Sequence, residues 1–216
     1  MTSRPPLDDG LRARKRAATQ TRLERAALAL ALEHGYDSVT VDMICEAGLV
    51  SQRTFFNYFG TKEGVFLGTA PPVPSDADLA AFVHGTGPDI LGDLVGLITA
   101  ALVGREPDLD VLKSRRMLIE RTPDLLSLEN TRIAELEESL TQLVLERLHA
   151  RGRAEESTPD LGDEACMVVA LAGSVMRFSM QKWFCAGFAG TPSELLRHSL
   201  GLVGRITGAA GPGVRP

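Results

Sequence analysis

The sequence predicts an all-α protein. Three observations carry that expectation. Apolar residues recur at spacings of three and four over most of the chain, alternating β-branched and aromatic runs are absent, and short breaks containing Gly or Pro punctuate the helical stretches. About nine helices are expected, arranged as an N-terminal helix-turn-helix domain of three helices and a larger helical C-terminal domain. Residues 1–13 read as a disordered basic arm, 14–69 as the helix-turn-helix domain, 70–208 as the larger helical domain, and 209–216 as a flexible tail.

A first helix is predicted from about Arg14 to His34. Leu23, Ala27, Leu30 and Ala31 give it an apolar face, and Gly35 stops it. Thr40 is placed to cap a helix over Val41–Ala47, Gly48 to break it, and Ser51 to cap a second helix reaching about Tyr58. Gly60 ends that helix and Thr61 caps a fourth, with Lys62 and Glu63 in its first turn. Two short helices joined by a tight turn containing Gly have the spacing of a helix-turn-helix. The fourth helix is expected to halt at Ala70-Pro71-Pro72. After a helical turn near Leu79–Phe82, helices are predicted near 89–103, 108–122, 124–151, 161–187 and 193–208.

The second motif helix has two faces. Phe55 and Phe59, four apart, can anchor it inward. Arg53 and Asn57, also four apart, fall on the other side, flanked by Gln52, Thr54 and Phe56. Arg pairs bidentately with guanine, and Asn or Gln with adenine, in a major groove. Tyr58 and Lys62 near the helix end could hold phosphates, as could Arg22 on the first helix; Thr40 and Ser51 flank the same surface. The competing reading is an ordinary solvated polar face.

The residues His34-Gly35-Tyr36, Val39-Thr40-Val41, Ile44, Val50-Ser51, Thr54–Phe59 and Lys62-Glu63 carry a resemblance to the N-terminal domain of the TetR (tetracycline-repressor) family of bacterial transcription regulators. It covers about fifty contiguous residues without a gap. The resemblance implies a dimeric repressor whose second motif helix reads DNA, with the fourth helix relaying a ligand signal. One position departs from the family pattern. Where Gly commonly precedes the Val-Ser pair, this chain has Leu49, with Gly48 one residue earlier. A slightly altered turn is expected there, with DNA binding surviving it.

Of the charged side chains, 23 are Lys or Arg and 28 Asp or Glu, a net charge of −5. The balance is uneven, with nine basic and eight acidic residues in 1–64 and 14 and 20 in the remainder. Arg12, Arg14, Lys15, Arg16, Arg22 and Arg25 cluster before and within the first helix, a local source of phosphate contacts on an acidic protein. No apolar run is long enough for a membrane span, and the N-terminus lacks a secretory core, so a cytoplasmic protein is expected. Cys45, Cys166 and Cys185 are odd in number and scattered, fitting reduced thiols better than disulfides or zinc ligands.

The last two predicted helices are the candidate dimer interface, through Val169, Gly173, Leu195, Leu196, Leu200 and Val203; they could equally pack within one chain. Leu102, Met117, Arg121, Leu140, Met176, Arg177, Met180 and Trp183 are the candidate effector pocket, although a methionine stripe at helical spacing is also ordinary core. Ion pairing with Glu120, Glu135 or Glu138 is an alternative use for the arginines. The segment around Pro123-Asp124-Leu125 and Trp183 is loosely similar to actinobacterial TetR-type regulators, some of which respond to acyl-CoA or other lipidic molecules, and this points towards a bulky apolar effector. Enzyme motifs are missing: the four histidines are isolated, and neither a phosphate loop nor a nucleophile elbow occurs. The expectation is therefore a ligand-responsive repressor binding a palindromic double-stranded DNA operator as a homodimer, with no cofactor, no metal and no membrane partner. The alternative is a helical small-molecule-binding protein whose motif no longer reads DNA.

Overall fold

The computed structural model describes residues 7–68, 74–102, 108–154 and 158–208, with side chains described from Arg14 onward and that of Leu102 excepted. Ten α-helices occur among them, and no strand: α1 (Leu7–His34), α2 (Val41–Gly48), α3 (Gln52–Phe59), α4 (Lys62–Leu67), α5 (Asp76–Val83), α6 (Ile90–Leu102), α7 (Leu109–Arg121), α8 (Pro123–Ala150), α9 (Leu161–Cys185) and α10 (Pro192–Thr207). A 3₁₀ turn over Tyr36–Ser38 joins α1 to α2. No described helix is long and apolar enough to cross a membrane.

Two boundaries differ from expectation. The first helix begins at Leu7, so residues 7–13, expected to be disordered, are helical. Asp8 and Asp9 lie in its opening turn, where carboxylates favour the positive end of the helix dipole, and no proline follows Pro6 to interrupt it. The fourth helix ends at Leu67 with Gly68 as its C-cap, before the proline run that was expected to stop it. Residues 69–73, the expected break at 104–107 and the tail at 209–216 lie outside the described residues; Asp108, the N-cap of α7, follows that break.

The chain forms two compact units, and a single cut at residue 70 does not separate them. The first takes residues up to 70 together with 106–131, and the second takes 71–105 and 132–216. The first core explains why. Leu23, Ala27, Leu28 and Ala31 of α1 meet Ile44, Phe55, Val65 and Phe66 of the motif helices, and α7 adds Val111, Leu118 and Ile119. Those α7 side chains would be stranded in water without the N-terminal helices. Charged ties reinforce the apolar seam. Arg25 Nε donates to Asp108 Oδ2 at 2.6 Å, Arg115 Nη2 lies 3.4 Å from Glu24 Oε2, and Arg115 Nε donates to the Phe66 carbonyl at 2.9 Å.

In the second unit, Phe82, Leu94 and Val95 pack with Val144, Leu148, Leu161, Val169, Ala172, Val175 and Leu196. Arg147 is almost wholly buried there. It donates to the Phe82 and Gly87 carbonyls, pairs with Asp93, and lies 4.7 Å over the Phe82 ring, fastening the α5–α6 connection to α8. The α9–α10 pair is joined by a buried Ser179–Ser199 hydroxyl contact of 2.7 Å.

Candidate nucleic-acid interface

The motif is built by its caps. Thr40 Oγ1 accepts from the Met43 amide at 3.2 Å, Ser51 Oγ from the Thr54 amide at 3.2 Å, and Thr61 Oγ1 from the Gly64 amide at 3.1 Å. Each hydroxyl thereby satisfies one of the amides that a helix start leaves unpaired. Phe55 is fully buried and lies 5.3 Å from the half-buried Phe59, so α3 is pinned along one side. The opposite side faces solvent: Gln52, Arg53, Phe56 and Asn57 are all exposed.

The turn between α2 and α3 corrects the reading of Gly48. That residue is the last of α2, and a Cβ on it would fall 2.3 Å from Leu23 Cδ2. Its role is close helix packing. The left-handed residue of the turn is Leu49, at φ 52° and ψ 48°, with 83% of its surface exposed. The turn thus keeps the backbone path that a glycine would adopt freely and places a leucine in it.

Several predicted contacts have structural duties. The Gln52 amide donates to Asp42 Oδ1 on α2, a partner the sequence did not single out. Ser51 Oγ also meets Thr54 Oγ1 at 2.9 Å. Tyr58 is half-buried, with the Arg16 guanidinium 5.4 Å from its ring centre. Lys62 Nζ donates to the Tyr36 carbonyl at 3.0 Å and sits 4.3 Å over the Tyr36 ring, so it is engaged within the motif rather than presented beside Arg53 and Asn57. Arg22 is exposed on α1. Beneath the motif, Tyr36 Oη donates to Glu63 Oε1 at 3.2 Å. Burial, and then the Glu63 charge, push the Tyr36 hydroxyl up to about 12. Glu63 is held below the usual carboxylate range by a hydrogen bond from its own backbone amide, with Thr61 and Tyr36 adding to it against the cost of burial.

Residues 24–69 match the family model of the bacterial regulatory proteins of the tetR family. Over 193 residues the chain is 35% identical to the HTH-type transcriptional regulator TcmR of Streptomyces glaucescens, covering 85% of this chain and 80% of that protein. The chain belongs to the TetR family of transcriptional regulators. Among solved structures, a TetR-family regulator from Mesorhizobium loti MAFF303099 shares 20% identity at a TM-score of 0.42, over 85% of this chain and 92% of the other. Thermus thermophilus FadR, a TetR-family repressor solved with lauroyl-CoA, shares 27% identity at a TM-score of 0.30, over 91% and 98%. The family assignment rests on the sequence matches.

The other predicted sites of this TetR-family chain are redistributed. Met117 (half-buried) and Arg121 (exposed) belong to the first unit, while Leu140, Met176, Arg177, Met180 and Trp183 belong to the second. Arg177 is exposed, and Leu140 and Met176 pack against the second core. Trp183 is buried, donating to the Gly190 carbonyl at 3.3 Å and meeting Phe188 edge-on at 5.1 Å, so it seals the α9–α10 corner. The Leu102 side chain lies outside the described residues. Of the expected dimer contacts, Val169 and Leu196 are buried in the chain's own core. Gly173, Leu195, Leu200 and Val203 are half-buried. An apolar groove runs between these two helices, lined by Leu171, Val175, Phe178, Leu202, Val203 and Ile206. Its cavity volume of about 170 Å³ is below the ~300–1,000 Å³ of drug-sized ligand sites. Among the described residues, no group of three or more His, Cys, Asp or Glu is placed to hold a metal ion.

Proposed function

We propose that the protein binds a palindromic double-stranded DNA operator as a homodimer and that a small apolar or lipidic effector releases it, which makes it a repressor. The supporting observation is the two-sided α3: Phe55 holds the helix to the core while Arg53, Asn57, Gln52 and Phe56 face solvent together. Side chains of that kind on a short capped helix suit major-groove base edges, with Thr40, Ser51, Thr54, Tyr58 and Arg22 placed around them for the backbone. One α3 offers few base contacts, and a two-fold dimer would double them across a palindrome. The outward residues Phe178 and Ile206 supply an apolar surface for such pairing, and the half-buried Met176 and Met180 suit an apolar effector.

Electrophoretic mobility of the DNA upstream of its own gene, at one stated salt concentration, tests the reading. Arg53→Ala and Asn57→Ala are each expected to weaken operator binding by ~1–3 kcal/mol with the helical circular dichroism unchanged. Full affinity in both variants would remove α3 from the groove, and no retardation by the wild-type chain would favour a ligand-binding protein with a silent motif.

A further inference from the structure

Among the described residues, two that are not glycine have a positive φ, Leu49 at 52° and Phe188 at 66°. A residue with a side chain is strained there, and the strain persists only where the surrounding structure fixes it. At Phe188 packing offsets the strain, since its ring lies 5.1 Å edge-on from Trp183 and 5.0 Å from Phe184. Leu49 lacks that offset. Its amide donates to the Glu46 carbonyl at 3.1 Å and the Val50 amide to that of Cys45 at 3.0 Å, which closes α2 and locks the turn. Val50 then packs on the first core, whereas Leu49 stays 83% exposed. A glycine would give the fold the same turn without strain.

We propose that Leu49 is a specificity residue of the motif, packing on the C5-methyl group of a thymine in the major groove beside the N-terminal end of α3. Ser51 caps that end, so Leu49 lies in the turn that leads into it. In motifs of this geometry the first residues of the second helix reach base edges. Phe56 is the other exposed large apolar side chain among those described in residues 14–68, and it too belongs to the motif. Two separate apolar groups set among Gln52, Arg53 and Asn57 are too little surface for a protein partner, which needs about 800 Å² on each side. They match instead the isolated methyl that thymine alone of the four bases displays in the groove. Covering an exposed leucine with that methyl removes apolar surface of both from water. The inference rests on the operator-binding reading above and adds thymine discrimination at one position of each half-site.

Mobility shifts of the full chain on its retarded upstream duplex test the contact. Each thymine of one half-site is exchanged in turn for deoxyuridine, which pairs identically but lacks the methyl. Wild type should lose about three- to fivefold in affinity at one such position, the worth of one methyl left in water. Leu49→Gly keeps the left-handed turn without a side chain, and Leu49→Asn keeps it with a polar one that tolerates the region. Both should bind the thymine duplex roughly tenfold more weakly, one contact being lost in each half-site, and be indifferent to the exchange at that position. Leu49→Gly should melt no lower than wild type, so its weaker binding is not damage to the fold. Arg53→Ala, weakened at another base, should keep the deoxyuridine penalty. A turn with a merely structural role predicts the same penalty in the Leu49 variants as in wild type. That additive result, or wild-type affinity in Leu49→Gly, overturns the methyl contact and leaves the α3 reading in place. If the wild-type chain retards no duplex, both fall.

Discussion

Leu49 and Gly48 are neighbours with opposite needs. Leu49 occupies a left-handed backbone region that costs a leucine roughly 1–2 kcal/mol. Leu49→Gly should therefore stabilise the chain by up to ~1 kcal/mol, since part of the relief is returned as extra freedom of the unfolded glycine. In a thermal melt that is a rise of about 2–4 °C. Gly48→Ala should do the opposite by ~1–3 kcal/mol, because its new methyl meets Leu23, which is itself fully buried and has no room to swing away. The sequence marked a break at this spot, since glycine is the strongest local signal of one. It could not tell which of two adjacent residues turns and which packs, because close packing depends on α1, distant in sequence.

Another residue pair sets a pH dependence. The folded Tyr36 hydroxyl titrates at about 12 against ~10 unfolded, so its contribution is intact below ~10 and is lost as pH rises between those values. Glu63 acts at the other end: its lowered folded pKa makes a contribution that is present above ~4.3 and lost as pH falls through the folded value. Thermal melts of Tyr36→Phe should show a shallower alkaline loss than wild type, with the acid limb still present.

At the scale of elements, α4 is the least self-sufficient. Six residues cannot sustain a helix in water alone, so its ends carry it. Thr61 caps the start, and Arg115 from α7 donates to the Phe66 carbonyl near the end, where a cation also suits the negative helix terminus. Arg115→Met would strip that bond and leave the buried Glu24 carboxylate without its cation. A loss of about 2–4 kcal/mol by denaturant titration is expected, together with faster amide exchange in α4. Helix bounds from α6 onward were readable to within about two residues, since caps, glycines and prolines are local signals. The Arg115–Glu24 pair and the Arg147 staple were not. Nothing in either neighbourhood announces a partner that folding brings from far along the chain. Arg147 does follow Leu140, Leu143 and Val144 on an apolar stripe, which was the one hint that it is buried.

On the scale of the whole molecule, the motif and the all-helical class were legible because they are written in contiguous patterns. The candidate effector residues were less legible, because helical spacing alone does not distinguish a pocket from a core. Pairing of subunits belongs here too. Phe178 and Ile206 flank the α9–α10 groove and are exposed. Phe178→Glu should convert the proposed dimer to monomers in analytical ultracentrifugation and, through loss of the second half-site contact, weaken operator binding. A variant that remains dimeric at the same concentration would place the pairing surface elsewhere.

The interleaving of the two units has a consequence for how the molecule is made. A ribosome releases α1 to α4 well before it reaches the codons of α7, and the second unit's α5 and α6 emerge in between. Until residues 106–131 have left the exit tunnel, the nascent motif helices lack the lid formed by Val111, Leu118 and Ile119. A gene truncated after residue 70 would leave that apolar surface permanently open, so such a fragment should be recovered in inclusion bodies or bound to chaperones rather than as a soluble miniature of the motif.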